Sequence, residues 1–299
     1  MNHAVPETRK DTELPRLAIV PTASLALHEE VDLQRSQPLA ERLRAEEVLK
    51  NPPVVAPLEG EQRYVVLDGT NRVVALRALA CPHVVVQVVD YDDPALILDT
   101  WSHLITDVPV SDFLAAVRSV AGMRLEPVNQ LHARAELARR QAVAYLLTPD
   151  PASRRDEAPL DPIRVDAHVA HVEGYLQRRA AILTDLVSQY RARGRIQRVN
   201  TDHFDQLRRL YDHIAGLVVF PRYAPSEIME LARQGAYLPT GITRHVVPGR
   251  ALRLDFPLRV LFDDRTLVEK HAWLQDWIRA KLAGKEIRYY QESTFLFDE

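Results

Sequence analysis

A chain of 299 residues, 46% hydrophobic and 26% charged, has apolar material for a substantial core and is long enough that two domains are expected. Its 38 Lys plus Arg against 41 Asp plus Glu give a formal net charge of -3, so no global attraction to nucleic acid operates. A single cysteine, Cys81, excludes an internal disulfide and a cysteine-rich zinc site and suits a reducing compartment.

The start, MNHAVPETRKDTELPR, is polar and proline-bearing, and no apolar run here or later reads as a signal peptide or a membrane span, so a cytoplasmic protein is expected. Composition and periodicity then predict a strand at Leu17 to Val20, a helix from Leu33 to Glu47, and strands at Val54 to Pro57 and Tyr64 to Leu67. A helix from Thr70 to Ala80 and a strand at Val84 to Asp90 follow. Short strands alternating with helices make this first region α/β. We place its boundary at 108/109, with domains 1–108 and 109–299. A helix near Ser111, with that serine as N-cap, opens the second region.

The stretch TPDPASRRDEAPLDP, 148–162, reads as a loop, because four prolines among alternating charges suit neither helix nor strand. The run VDAHVAHVEGYLQRRAAILTDLVSQYRARG, 165–194, has helical apolar spacing along most of its length and a glycine, Gly194, placed as a C-cap. Strands are expected at Gly216 to Phe220, Ile242 to Val247, Leu252 to Phe256 and Arg259 to Phe262, a helix near Pro225 to Gln234, and a final helix at Leu267 to Leu282. STFLF, 293–297, reads as a closing strand. The second domain is thus also α/β.

The segment LDGTNRVVALRAL, 67–79, passes from strand to helix through Asp68, Gly69, Thr70, Asn71 and Arg72. The first-turn N–H groups of a helix have no partner within it, and with the helix dipole they favour an anion. A glycine permits close backbone approach, and an arginine adds charge-assisted hydrogen bonds to phosphate. An aspartate there would repel the anion unless a divalent cation lies between, so Asp68 points to a Mg²⁺-nucleotide. The plainer alternative is a DG turn with Arg72 as a surface charge.

Several neighbouring segments carry a resemblance. They are Leu27, His28 and Glu29, the following Arg35, Asn51 to Val54 (NPPV), Asp68 to Arg72 (DGTNR) and Thr100 to His103 (TWSH). Together these resemble the ParB/sulfiredoxin superfamily, whose members hold nucleotide phosphates on a G-x-x-R signature at a helix N-terminus. Within it the chain is most similar to free serine kinases. The resemblance covers the chain to about residue 105 and thins beyond it, although Thr243, Arg244 and His245 look like the family's serine-binding segment. Asn71 stands where members often carry histidine. The resemblance implies a ParB/sulfiredoxin-like N-terminal domain and transfer of a phosphoryl group from ATP or ADP, with Mg²⁺, to L-serine, giving O-phospho-L-serine.

Such a transfer needs a phosphate cradle, a metal and a carboxylate to accept the hydroxyl proton. The cradle is assigned to Gly69, Thr70, Asn71 and Arg72, and metal binding and a catalytic role to Asp68. Glu29, in HEEVDLQR, is the candidate general base, with Glu30 as the substitute one residue on. The commoner use of an early glutamate is to meet the helix dipole. Trp101 and His103, with Thr243, Arg244 and His245, are the candidate serine-binding residues. On a strand Thr243 and His245 face one way and Arg244 the other, so one ligand meets all three only where the chain bends. His168 and His171 are spaced for one helix face but lack a convincing zinc pattern, and a solvated surface explains them.

Two rivals follow from the same superfamily. Sulfiredoxin's nucleophilic cysteine is replaced here by Thr70, which cannot do thiol chemistry. A ParB-like DNA-binding regulator fits the loose G-x-x-R-x-x-A pattern of Gly69, Arg72 and Ala75, yet the evenly mixed charges after residue 110 do not form a basic helix-turn-helix, so nucleic acid is the weaker partner.

Overall fold

The computed structural model describes residues 14–150 and 164–289. None of their helices is long and apolar enough to cross a membrane. The first 13 residues, most of the proline-rich stretch and STFLF lie outside these residues; Thr148 and Pro149, expected in a loop, end a strand instead.

The described residues form two units, mixed α/β in character. The first comprises 14–25, 33–90 and 247–289, and the second 26–32 together with 91–150 and 164–246. This differs from a linear division at 108/109. The later segment 247–289 belongs with the first unit because Leu267–Ala283 packs on strand Leu17–Pro21, and Phe256–Pro257 pairs with Val48–Leu49.

In the first unit a five-stranded sheet runs in the order Leu17–Pro21, His83–Val88, Val54–Pro57, Tyr64–Asp68, Leu25–Ala26. The strand HVVVQV is buried along almost its whole length rather than on alternate residues, the pattern of a strand covered on both faces. Helices Leu33–Glu46 and Thr70–Ala78 pack on one another, and Leu258–Phe262 packs on His83–Val88. Lys270 is fully buried, its ammonium donating to the Leu261 carbonyl at 2.8 Å and lying 3.5 Å from Asp263, which offsets the loss of water.

The second unit is built on a six-stranded antiparallel sheet in the order Arg195–Val199, Ser102–Thr106, Ile214–Val219, Ala144–Pro149, Val165–His171, Arg124–Val128. Helix Gln130–Ala138 lies against Leu104, Tyr145, Leu147, Val169 and Leu217 in one core cluster. By strand alternation the neighbouring Gly216 faces the other way, toward Phe113 on helix Val110–Arg118. That helix also packs on Leu176–Arg191, so helices cover both faces of the sheet. A two-stranded pair, Ile97–Thr100 with Thr243–Val246, completes the unit.

Several expectations are corrected. Residues 165–171 form a strand rather than the start of a long helix: Ala167, Val169 and Ala170 are buried between two partner strands, and that pairing overrides helical spacing. The helix begins only at Leu176, after Gly174 at φ 114 has broken the chain direction. His168 and His171, three apart on a strand, therefore fall on opposite faces, and His171 bonds Glu136 at 2.6 Å. Gly194 is not the cap, which is Ala192; it lies so close to Thr106 that a Cβ would come within 2.8 Å of that carbonyl oxygen. Pro109, not Ser111, caps Val110–Arg118. The expected strand 252–256 is excluded by positive φ at Arg253 and Asp255, and Leu258–Phe262 is a short helix with Leu258, Val260 and Leu261 buried.

Two expectations for stability follow. Gly216→Ala drives a methyl into the Phe113 ring and should lower unfolding free energy by about 1–3 kcal/mol in urea titrations, with Phe113→Leu recovering part of the loss. The second concerns His103, which is 1% exposed and held down to about 3 from 6.5 by burial and by the charges of Arg198 and Arg191. Between those two values the unfolded chain binds a proton that the folded chain refuses. Stability should therefore fall as pH drops through this window, by at most about 1.4 kcal/mol per pH unit from this residue. His103→Gln should flatten the slope by that amount; an unchanged slope would show that the ring titrates normally.

Candidate functional site

Candidate residues occur in each unit, and each group is described by itself. In the first unit strand Tyr64–Asp68 delivers Asp68 to its last position and helix Thr70–Ala78 starts two residues later. Gly69, at φ 98 and ψ 22, makes that turn possible. A Cβ there would come within 3.0 Å of both the Pro53 backbone and the Arg72 guanidinium, so the glycine also provides room for Arg72 to fold back beneath it. The first intrahelical bond runs from the Val73 N–H to the Gly69 carbonyl at 3.0 Å. The N–H groups of Thr70, Asn71 and Arg72 precede it, where glycine offers no side-chain cap and an anion can accept from them.

Arg72 does not project as a loose phosphate ligand. Its Nη1 donates to the carbonyls of Asn51 (2.9 Å) and Pro52 (3.3 Å) and its Nη2 to Asp68 Oδ2 at 3.0 Å. Burial pulls the guanidinium below its ordinary value, with Asp68 opposing and Arg250 adding to the shift. The sequence thus places Asn51–Pro52 and Asp68–Arg72 in one motif because a single side chain ties them together.

Arg250 was not expected here. Its Nη1 donates to the same Asp68 oxygen at 2.6 Å. Gln87, buried in the apolar strand HVVVQV, holds the backbone on either side of it: its Nε2 donates to the Gly249 carbonyl (3.1 Å) and its Oε1 accepts from the Ala251 N–H (2.8 Å). Asn51 Oδ1 accepts from Arg253 N–H at 2.8 Å. A lone glutamine in an otherwise apolar strand was the available signal. Two guanidiniums on one carboxylate also offset the charge of Asp68 beside the helix start. Among the described residues no group of three or more His, Cys, Asp or Glu is arranged to hold a metal ion.

In the second unit Glu29 forms an isolated parallel bridge with Leu238. It is 9% exposed, and three donors converge on its carboxylate: Gly241 N–H on Oε2 at 2.9 Å, and Thr243 N–H (2.8 Å) and Thr243 hydroxyl (2.5 Å) on Oε1. Such donors are what a buried carboxylate requires. His28 Nε2 lies 2.9 Å from the Thr243 hydroxyl, and the His28 and His245 rings meet edge to face at 5.7 Å. Tyr91 hydroxyl is 2.8 Å from His245 Nε2. Glu30 has other surroundings: burial pushes its carboxyl up, Arg191 works against that and Asp185 adds to it.

The expected alternation is present. Thr243 and His245 join Glu29, His28 and Tyr91, whereas Arg244 stacks on the Trp101 ring at 4.6 Å and lies 3.7 Å from Asp99, which also takes Arg222 at 3.1 Å. His103 departs from its expected role, since it is buried with Nδ1 2.7 Å from the Tyr190 hydroxyl. His28 and Tyr91 were missed as members of the cluster, Tyr91 because nothing in its local sequence marks it.

No protein-family model matches the chain. It is 24% identical to the ATP-dependent L-serine kinase SbnI of Staphylococcus aureus over 292 residues, 95% of this chain and 97% of the relative. It is 22% identical to the ADP-dependent L-serine kinase SerK of Thermococcus kodakarensis, over 79% of this chain and 88% of the relative. Among solved structures it resembles a free serine kinase in complex with AMP, with a TM-score of 0.67 and 17% identity over 87% of this chain and 99% of that one, a likeness of fold.

Proposed function

We propose that this chain is a free L-serine kinase, a phosphotransferase that moves a phosphoryl group from ATP or ADP to the serine hydroxyl and yields O-phospho-L-serine. Relatives named as L-serine kinases align along 95% and 79% of its length. The observation that carries the chemistry is Glu29, whose carboxylate already accepts a hydrogen bond from an aliphatic hydroxyl, that of Thr243, at 2.5 Å. Accepting a proton from a substrate hydroxyl is the same act carried further.

In this reading the nucleotide phosphates bind the N–H groups of Thr70, Asn71 and Arg72, with Gly69 allowing close approach and Arg72 and Arg250 supplying positive charge. Thr243 and His245, which share the face of Glu29, recognise serine, whereas Arg244 and Trp101 lie on the other face of strand Thr243–Val246. Asp68 would hold Mg²⁺ carried in on the nucleotide, an ion that needs only one or two protein carboxylates beside phosphate oxygens and water. When bound, it neutralises phosphate charge. We also infer a ParB/sulfiredoxin-like architecture for the first unit from its strand–glycine–helix joint, and a cytoplasmic setting from its one buried, unpaired cysteine. The DNA-binding alternative finds no support in the second unit, whose described strands between Ser102 and Val219 form an antiparallel sheet.

Arg72→Ala should weaken nucleotide binding by about 2–3 kcal/mol in calorimetry. Arg250→Ala, which leaves the Asn51 and Pro52 contacts of Arg72 in place, should also weaken it, and unchanged affinity in both variants would remove the joint from the site. Glu29→Gln should retain nucleotide affinity while turnover falls about 10²–10⁴-fold in single-turnover O-phosphoserine formation. Because the new amide must face one backbone N–H, stability is measured alongside and turnover is compared on folded protein only. Glu30→Gln is the control: loss there with near-normal Glu29→Gln moves the base by one residue, and normal rates in both remove the pair from the mechanism.

A further inference from the structure

We propose that Gln87 is a positioning residue for the nucleotide phosphates: its side-chain amide sets Arg250, and its main chain sets the segment that Arg72 grips. The proposal rests on the reading of the Asp68–Arg72 joint, with Arg250, as the nucleotide site.

Gln87 is 3% exposed in strand His83–Val88, where Val84, Val85, Val86 and Val88 are its buried apolar neighbours. A polar amide in such a place is costly unless its hydrogen bonds are made. Both of its ends are engaged on one short stretch of backbone: Nε2 donates to the Gly249 carbonyl at 3.1 Å and Oε1 accepts from the Ala251 N–H at 2.8 Å. The partners decide which end of the amide is which, since a carbonyl needs a donor and an N–H needs an acceptor. The residue between those partners is Arg250, whose Nη1 donates to Asp68 Oδ2 at 2.6 Å. Gly249 shapes the approach with φ 61, a left-handed conformation that glycine adopts without strain.

The main chain of the same residue holds the frame of the other arginine. Gln87 N–H donates to the Pro53 carbonyl at 2.8 Å, and Gln87 lies opposite Val54 in the parallel pairing of His83–Val88 with Val54–Pro57. Val54 is in turn opposite Asp68 on the next strand. Just before Pro53 come the Asn51 and Pro52 carbonyls that accept from Arg72 Nη1. Two guanidiniums thus meet on one carboxylate oxygen from two backbone segments that both bond to Gln87. Arg253 N–H on Asn51 Oδ1 at 2.8 Å and Leu254 N–H on the Lys50 carbonyl at 2.6 Å join the segments further along, whereas Gln87 holds the two residues that flank Arg250. Without the amide, residues 249–251 lose that hold and Arg250 must be ordered again when nucleotide binds, which weakens affinity. The amide acts through Arg250 rather than on the phosphate itself.

The test is a double-mutant cycle on the full chain, read by calorimetry with ADP and with ATP in the presence of Mg²⁺. Gln87→Met keeps an unbranched side chain of similar length and removes both bonds; it should weaken nucleotide binding about 3–10-fold, the scale of one hydrogen bond's net worth. The serine KM at saturating nucleotide should stay within about twofold of wild type. Arg250→Ala alone should weaken binding at least as much, and adding Gln87→Met to it should change affinity by less than about twofold, because a residue that acts through Arg250 then has nothing to position. A glutamine that merely supports the fold would lower affinity by the same factor in either background. If Gln87→Met does not fold, as judged by urea titration, Gln87→Glu completes the same cycle, keeping the acceptor for Ala251 N–H and losing donation to Gly249. Normal affinity in the Gln87 variant beside an impaired Arg250→Ala overturns the proposal, and so do independent, additive losses. Normal affinity in Arg250→Ala overturns the reading of Arg250 as part of the nucleotide site, and this proposal with it.

Discussion

The second unit is organised around the cost of burying the carboxylate of Glu29. A charge with so little access to water is tolerated only where donors replace the lost solvent, and here two backbone N–H groups and a hydroxyl do so. All three donors come from Gly241 and Thr243, far along the chain. The short excursion Ala26–Asp32 must therefore fold with 91–246 rather than with its sequence neighbours, and it does. The bridge between Glu29 and Leu238 and the hydrogen bond from Glu30 N–H to the Leu238 carbonyl at 2.8 Å fasten the backbone that carries the charge.

The first unit solves a different electrostatic problem. A helix N-terminus offers N–H groups to an anion, but an aspartate beside it works against that. Arg72 and Arg250 both bond one oxygen of Asp68, leaving one carboxylate against two guanidiniums and a local charge balance that favours phosphate. Arg72 spends its other nitrogen on the Asn51 and Pro52 carbonyls, so its part is to shape the joint as much as to add charge. Arg250 reaches the same Asp68 oxygen through Nη1, and Gln87 holds the backbone on either side of it. Lysine could not replace Arg72, whose two Nη groups bond Asp68 and the Asn51 and Pro52 carbonyls at once.

Much of the first unit was legible because its signals are local. Val54–Pro57 appears at the expected residues, and Tyr64–Asp68 and Thr70–Ala78 end within two residues of expectation, since turn glycine, alternation and helix start lie side by side. Pro225–Gln234 was likewise marked by Pro at its first turn and Gly235 at its end. The failures share a cause. Alanine and valine in VDAHVAH satisfy either period, and only pairing with Ala144–Pro149 and Arg124–Val128 decides for strand. The site follows the same rule. Glu29 and Thr243 could be named separately, but neither the bond between them nor the arrival of Arg250 and Tyr91 is encoded within a window of neighbours.

The adjacency of Glu29 and Glu30 shows how environment separates two identical side chains. Glu29 is saturated with donors from a rigid backbone turn, an arrangement that fixes direction. Glu30 is raised chiefly by burial, with Arg191 and Asp185 acting in opposite senses. A general base must be aimed at the proton it takes, and of the two it is Glu29 whose oxygens are held by oriented backbone donors. Aim weighs more in phosphoryl transfer, where catalysis consists mainly of positioning and charge neutralisation. A hydroxyl that displaces Thr243 Oγ from Glu29 Oε1 would inherit a position already defined by two backbone N–H groups, whereas Glu30 is acted on by burial and by the charges of Arg191 and Asp185. That difference in orientation is the physical ground on which the proposed proton transfer falls to Glu29.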